Sequence, residues 1–467
     1  MAADEMLDRA SVRELGRLLR AGETTSVALT RRALDRLDTI GRRLNAVVTL
    51  LPERALAAAQ RADEELRAGV DRGPLHGIPY GVKDLIAVAG APTTWGAGPL
   101  REQRLAEDAT VVKRLDAAGA VLVAKLAMVE LAGGMGYEQP NASFTGPGLS
   151  PWNPDAWSGG SSSGSGSAVG ARAVPFAIGS ETFGSIVTPS ACCGVSGLRP
   201  TYGRVSRHGA MALCWTLDKL GPMCRTADDC GLVLDAIASH DPRDPTSTTR
   251  PYHYIPEEQR QEGFRLAALR GATENAQPEA VANYAAALDT LRAVATIEEV
   301  ELPDLPYGAA IAVILRAEAA SAFDGFIDGG GIAGLTAPED RLRPLSNIAI
   351  SARDYLRAQR IRTRICRDLD AFFARYDALV APTLPGVAPP IDLPFGQALR
   401  RPNPAFALGA AGNLAGLPAI SVPNGFGERG LPTAIQFVGR AYDENRVLAV
   451  ANAYQRLTDW HTRVPPL

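Results

Sequence analysis

The chain has 467 residues, 46% of them apolar and 21% charged, with a formal net charge of −3. That length allows one large domain or two to three ordinary ones, and the composition excludes a mostly disordered chain. The near-neutral charge, with no basic stripe interleaved with aromatics, argues against nucleic acid as a partner.

No apolar run approaches the length of a membrane span, and MAADEMLDRASVREL lacks the charged-then-apolar layout of a signal peptide, so a cytoplasmic protein is expected. The six cysteines include the adjacent Cys192 and Cys193 but no CxxC pair. They read as small buried hydrophobes rather than a disulfide framework or a zinc site. No metal and no organic cofactor are called for.

In chain order, the first seventy residues predict helices. SVRELGRLLRAG has apolar residues at helical spacing and stops at Gly22. A second helix is expected to start at Ser26 as N-cap and to run through VALTRRALDRLDTIG; a third, ERALAAAQRADEELRAG, stops at Gly69. YGVKDLIAV, 80–88, reads as a strand. DATVVKRLDAAG follows as a helix capped by Asp108 and closed at Gly119, then AVLVA as a short strand. Further strands are expected at VPFAIG (174–179), FRLAAL (264–269), TIEEVEL (296–302), ALVAPTL (378–384), PAISVP (418–423) and PTAIQFVG (432–439). Helical patterns such as PEAVANYAAALDTLRAV and ISARDYLRAQRIRTRICRDLDAFFARY fall between them. This alternation predicts an α/β fold with helices on both faces of a sheet. SHDPRDPTSTTRPYHYIPEEQ, 239–259, reads as a surface excursion, so a single domain over 1–467 is expected, with 1–70 as a helical segment packed on it.

The stretch SGGSSSGSGSAVGARAVPFAIGSETFGSI, Ser158 to Ile186, has two readings: a flexible tether, or the loops of an active site. Ser185 follows a strand and a glycine, where backbone N–H groups of a tight turn can converge on a developing oxyanion. A serine nucleophile needs a base. The five histidines, His76, His208, His240, His253 and His461, carry no local signature. Lys83 lies among apolar strand residues in GIPYGVKDLI, and alternation turns it away from Val82 and Asp84. It is either a strand-end lysine reaching solvent or a buried amine neutral enough to act as base.

GIPYGVKDLI, GGSSSGSGSAVGA and GSETFGSIVTPSACCGVSGLRPTYGRVS together resemble the amidase signature family. The likeness continues through LDKLGPMCRTADD (217–229), YLRAQRIR (355–362), NLAGLPAISVP (413–423) and LPTAIQFVGRAYDE (431–444), nearly the whole chain from residue 70 onward. It implies a large, mixed, twisted sheet between helical layers, and hydrolysis of a small-molecule amide by a Ser–Ser–Lys triad. Ser185 then matches the acyl-enzyme nucleophile, Ser161 the bridging serine on a cis peptide bond, and Lys83 the triad lysine. The backbone N–H groups of Thr182, Phe183, Gly184 and Ser185 match the oxyanion hole. Ala132, Gly133, Gly134 and Met135 match the acyl-pocket loop, where small residues either leave room for a bulky or aromatic acyl group or form a turn whose glycines serve the backbone. On this resemblance the stretch is a set of active-site loops.

The chain departs from the family at Glu181-Thr182-Phe183-Gly184-Ser185, where many members have Asp-x-Gly-Gly-Ser. Phe183 keeps its N–H but loses glycine's φ freedom, and its ring is expected to narrow or reshape the site. Other readings remain open. The chain could act as the A subunit of a tRNA-dependent amidotransferase, which frees ammonia from glutamine in a complex, or as a catalytically inactive amidase-like binding protein. Gly160-Ser-Ser-Ser-Gly164 also fits G-x-S-x-G with Ser162 at its centre, as in a histidine-activated esterase. A homodimer is allowed for.

Overall fold

The computed structural model describes residues 8–256, 263–398 and 403–467. Its N-terminal segment forms the helices Val12–Arg20, Ser26–Arg36 and Pro52–Arg67. Gly22 and Gly69 follow the first and third with φ of 69° and 79°, a left-handed backbone that ends a helix and suits a residue without Cβ. Thr25, not Ser26, caps the second helix by accepting from the Ala28 N–H. Ser26 is its first residue and donates to Gly77 O at 2.8 Å, which ties this segment to the sheet-bearing body.

Among the described residues there are eleven strands: β1 Val47–Leu50, β2 Pro79–Lys83, β3 Val121–Leu126, β4 Phe176–Glu181, β5 Ser196–Arg199, β6 Lys219–Cys224, β7 Phe264–Leu269, β8 Ala295–Val300, β9 Ala378–Pro382, β10 Ala419–Phe426 and β11 Pro432–Val438. β1 falls inside the segment expected to be helical and pairs with β3, so 1–70 contributes an edge strand to the sheet as well as helices. The strands form one mixed sheet in the order β1-β3-β2-β4-β6-β5-β10-β11-β9-β7-β8. β2 is parallel to β3 and β4, and β7 is parallel to β8 and β9. The other pairs are antiparallel. Successive side chains of a strand face opposite ways, and β3 shows the two layers this builds. Val121 and Val123 pack with Ala33, Ala55 and Ala168, whereas Leu122 joins Leu18, Val112 and Leu115. The chain is therefore an α/β protein with a core on each face of the sheet.

Several expectations are corrected. The strand expected over 80–88 ends at Lys83, because Asp84 turns away and the Ile86 N–H closes a turn on Lys83 O at 3.0 Å. Asp108 caps no helix; it accepts from the Ala89 N–H at 2.7 Å and pairs with Arg54, and the helix begins at Thr110. β6 reads poorly as a strand because it carries Gly221 and Pro222. A Cβ at Gly221 would come within 2.2 Å of Leu198 O, so only glycine lets β5 and β6 approach there. Of the 239–259 excursion, residues 257–259 lie outside the described residues, and Arg243 to Thr246 line a cavity described below.

The glycine–serine run is loop only at its start. Ser163–Gly170 is a helix with every residue buried. A Cβ on Gly164 would lie 2.4 Å from both Ala127 N and Ala46 O, and one on Gly170 would lie 2.8 Å from Cys193 O. Glycine here serves close backbone packing, not flexibility.

Candidate active site

Lys83 ends β2, and Ser180 and Glu181 end its parallel neighbour β4, so all three leave the sheet at the same edge. β6 runs the opposite way and begins there, with Lys219 opposite Glu181. The carboxyl ends of parallel strands are where open α/β sheets form ligand crevices.

The Lys83 side chain is fully buried. Its Nζ lies 2.8 Å from Ser161 Oγ, 2.9 Å from Ser180 Oγ and 3.4 Å from Ser180 O. Burial pushes the ammonium down to about 7, against weaker opposing pulls from Asp218 and Glu181. Asp84 faces the other way and pairs with Lys125 at 2.7 Å.

Ser161 follows a cis peptide bond from Gly160, and its carbonyl accepts from the Val129 N–H at 3.1 Å. The Ser185 carbonyl accepts from the Ser162 N–H at 3.3 Å, which brings the two serine segments together. Among the described residues, neither the Ser185 hydroxyl nor the N–H groups of Thr182, Phe183, Gly184 and Ser185 have a hydrogen-bond partner. The next two N–H groups, of Ile186 and Val187, donate to Glu181 Oε2 at 2.9 and 3.1 Å. Glu181 Oε1 accepts from Arg199 and Asn413. Burial opposes its ionisation, but the charges of Arg199 and Lys219 hold it down at about 2.

Phe183 does not occupy the left-handed region; Gly184 does, with φ of 83°. A glycine at 183 is therefore not needed here for backbone reasons. The Phe183 ring is half-buried and packs edge-on against Phe406, with centroids 5.3 Å apart.

A cavity of about 400 Å³ adjoins the lysine through Ser180, Thr182 and Asp218. Leu85, Met211, Leu213, Trp215 and Leu220 give it apolar walls, whereas Ser161 and Ser185 do not line it. Its charged groups are already engaged. Asp218 accepts from Thr182 Oγ1 at 2.6 Å and from the Leu213 and Cys214 N–H groups. Arg207 donates to Trp215 O and Thr246 Oγ1, and Arg243 pairs with Asp241.

Of the expected acyl-pocket residues, Ala132 lines this cavity. A Cβ on Gly133 would meet the Tyr137 ring at 2.5 Å, and one on Gly134 would meet Leu213 at 2.1 Å. Neighbouring side chains thus fill the space these glycines leave, and Met135 is buried in the core. Ser162 is fully buried, donating to Ser180 O at 3.1 Å and accepting from the Ser180 N–H at 3.2 Å. That locks it to β4, and no histidine bonds it among the described residues, which removes the histidine-activated esterase reading. Ser180, Glu181 and Asp218 were not singled out as site residues from sequence. Their roles depend on strand pairing, which no local motif encodes. Among the described residues, no group of three or more His, Cys, Asp or Glu is placed to hold a metal ion. No helix among them is long and apolar enough to cross a membrane.

The site is thus a buried lysine and two serine loops at one edge of a mixed α/β sheet. A family model described as Amidase matches residues 28–448, and the chain belongs to that family, the amidase signature enzymes. It is 42% identical to the A subunit of the glutamyl-tRNA(Gln) amidotransferase of Chloroflexus aggregans, over 96% of each chain. Its structure is similar to that of the native peptide amidase from Stenotrophomonas maltophilia, with 32% identity, a TM-score of 0.85 and 98% of each chain covered. It is also similar to the A subunit of the glutamyl-tRNA(Gln) amidotransferase of Thermotoga maritima, with 28% identity and a TM-score of 0.78, covering 96% of this chain and 95% of that one.

Proposed function

We propose that the protein hydrolyses a carboxylic amide through an acyl-enzyme on Ser185, with Ser161 as proton relay and Lys83 as base. The observation that carries this reading is the Lys83 amine, fully buried, hydrogen-bonded among the described residues to serine oxygens alone and 2.8 Å from Ser161 Oγ. A neutral amine offers two N–H groups and one lone pair. The Ser180 hydroxyl and carbonyl oxygens can accept the two N–H bonds, which leaves the lone pair for the Ser161 O–H.

In this mechanism the Ser185 oxygen attacks the amide carbonyl carbon while its proton passes to Ser161 and the Ser161 proton passes to Lys83. The N–H groups of Thr182, Phe183, Gly184 and Ser185 receive the oxyanion. The C–N bond then breaks as Ser161 hands a proton to the leaving nitrogen and recovers one from Lys83. Water repeats the sequence on the ester, releasing the acid and restoring Ser185. The apolar walls of the adjoining cavity fit an apolar or aromatic acyl group.

The likeness to amidotransferase A subunits favours a second reading, a glutaminase acting in a complex. Against it, the charged α-groups of glutamine need free partners of opposite sign, and the cavity's Asp218, Arg207 and Arg243 are already engaged. We favour a stand-alone cytoplasmic amidase, acting alone or as a homodimer. A fluorophosphonate probe located by peptide mass spectrometry tests the chemistry. An adduct on Ser185 that is lost in Lys83→Ala is expected, and an adduct on any other serine overturns the assignment. Turnover of aryl amides but not glutamine by the isolated chain separates the two readings.

A further inference from the structure

We infer that Trp215 is a substrate-binding residue of this site: its indole is a fixed aromatic platform at the cavity mouth, on which an aryl ring of the acyl group stacks. This rests on the amide-hydrolysis reading and names the substrate class within it, acyl groups that end in an aryl ring. The chain has five tryptophans. Trp95, Trp152, Trp157 and Trp460 each pack on another aromatic ring, Phe323, Phe426, Phe395 and Phe426 respectively, with centroids 4.7 to 6.3 Å apart. Trp215 packs on no aromatic ring among the described residues and is 46% exposed, yet it lines the cavity that adjoins the lysine. A lone exposed ring on an outer surface needs no explanation, but one on the rim of an apolar cavity presents a stacking face to whatever enters.

The backbone beneath that ring is pinned on both sides. The Leu213 and Cys214 N–H groups donate to Asp218 at 2.8 and 2.9 Å. Trp215 O accepts from the Tyr202 hydroxyl at 2.7 Å and from Arg207 at 2.6 Å. The Thr216 N–H and hydroxyl donate to Glu318 at 3.0 and 2.7 Å, and Thr216 O accepts from Arg362 at 2.7 Å. With its backbone fixed, the indole has only two torsions to settle when a ring stacks on it, so little ordering entropy opposes binding. The cavity is buried at Thr182, Asp218 and Leu220 and exposed at Trp215 and Thr246. Arg207 bonds both Trp215 O and Thr246 Oγ1, which joins the two sides of the rim. An acyl group whose carbonyl sits at the serine loops therefore runs along apolar walls and brings its far end to the indole.

Two amides of equal chain length separate stacking from plain burial: butanamide bearing a phenyl ring on its terminal carbon, and its cyclohexyl counterpart. Wild type should favour the phenyl compound in kcat/KM. Trp215→Ala should lower the phenyl-to-cyclohexyl ratio by about fivefold, through KM rather than kcat, because ring stacking is lost while both tails lose similar area. Trp215→Phe keeps a ring and should restore the ratio. A ratio that Trp215→Ala leaves as it was, or that Trp215→Phe does not restore, overturns the stacking role. Binding keeps this apart from the chemistry. Calorimetric titration of the phenyl amide into Ser185→Ala, which cannot form the acyl-enzyme, should show an affinity that falls about tenfold when Trp215→Ala is added. No binding, or binding indifferent to Trp215, overturns the platform. Binding that depends on Trp215, with no turnover of the amide by wild type, supports the platform and counts against the hydrolytic reading.

Discussion

Lys83 and Asp84 are adjacent in sequence but face opposite sides of the sheet edge, so Lys83 meets serine oxygens at 2.8 and 2.9 Å while Asp84 pairs with Lys125 at 2.7 Å. This separation leaves the lysine without a salt-bridge partner among the described residues and lets burial bring its proton affinity down to about 7. The unfolded chain keeps that proton up to the ordinary lysine value of 10.5, whereas the native state releases it near 7. Native stability therefore rises with pH between those values. Lys83→Met should melt above the wild type at pH 6, with the gap closing toward pH 10. Its activity should fall by about 10³-fold or more. A Tm gap that does not change with pH would mean Lys83 is not a depressed, buried amine.

Much of this was legible in the sequence, and the rest was hidden for physical reasons. Lys83 stood out as a charged residue in an apolar strand run, and alternation turned it from Asp84, but position alone left a solvent-reaching lysine and a buried amine equally open; the structure buries it. Glycine at 22 and 69 marked helix ends because the left-handed backbone there favours it. The Ser163–Gly170 helix was not legible, since its glycines are dictated by backbone atoms of Ala46, Ala127 and Cys193 that are distant in sequence. Ser180 and Asp218 escaped for the same kind of reason: each acquires its place from a neighbouring strand or turn. β5 and β6 lack the alternation and branched residues that announce a strand, because close approach of their backbones replaces side-chain packing.

Glu181 should prove structural in its energetics and indirect in its chemistry. One oxygen accepts the two N–H groups that follow Ser185, and the other accepts from Arg199 and Asn413. Glu181→Ala leaves Arg199 as an uncompensated buried charge, so urea unfolding should show a loss of about 3–5 kcal/mol. A depressed carboxyl contributes stability above its unfolded value and loses it as pH falls through its folded value, here about 2. The difference between wild type and variant should then stay level from pH 5 to 9.

Glycine substitutions separate close packing from chain flexibility. Gly164→Ala forces a Cβ to within 2.4 Å of two backbone atoms, which cannot rotate away, and should cost about 3 kcal/mol or prevent folding. Gly308 is exposed in the Tyr307–Ala322 helix with nothing within 4 Å of an added Cβ. Gly308→Ala should stabilise by about 0.5–1 kcal/mol. Equal effects in thermal melts would defeat the packing account of the glycine–serine helix.

Phe183 allows its ring and its backbone to be tested apart. The ring packs on Phe406 beside the nucleophile loop, whereas the N–H is one of four donors left without a protein acceptor among the described residues. Phe183→Ala removes the ring and keeps the donor, so kcat should hold within about tenfold while kcat/KM shifts toward bulkier acyl groups. Phe183→Pro removes the donor, and loss of one oxyanion contact lowers kcat by about 10²–10³. Matched Tm values for the two variants would show that the difference lies in the reaction and not in the fold. If Phe183→Pro keeps kcat within tenfold of Phe183→Ala, the oxyanion is held elsewhere, and Phe183 acts on substrate shape alone.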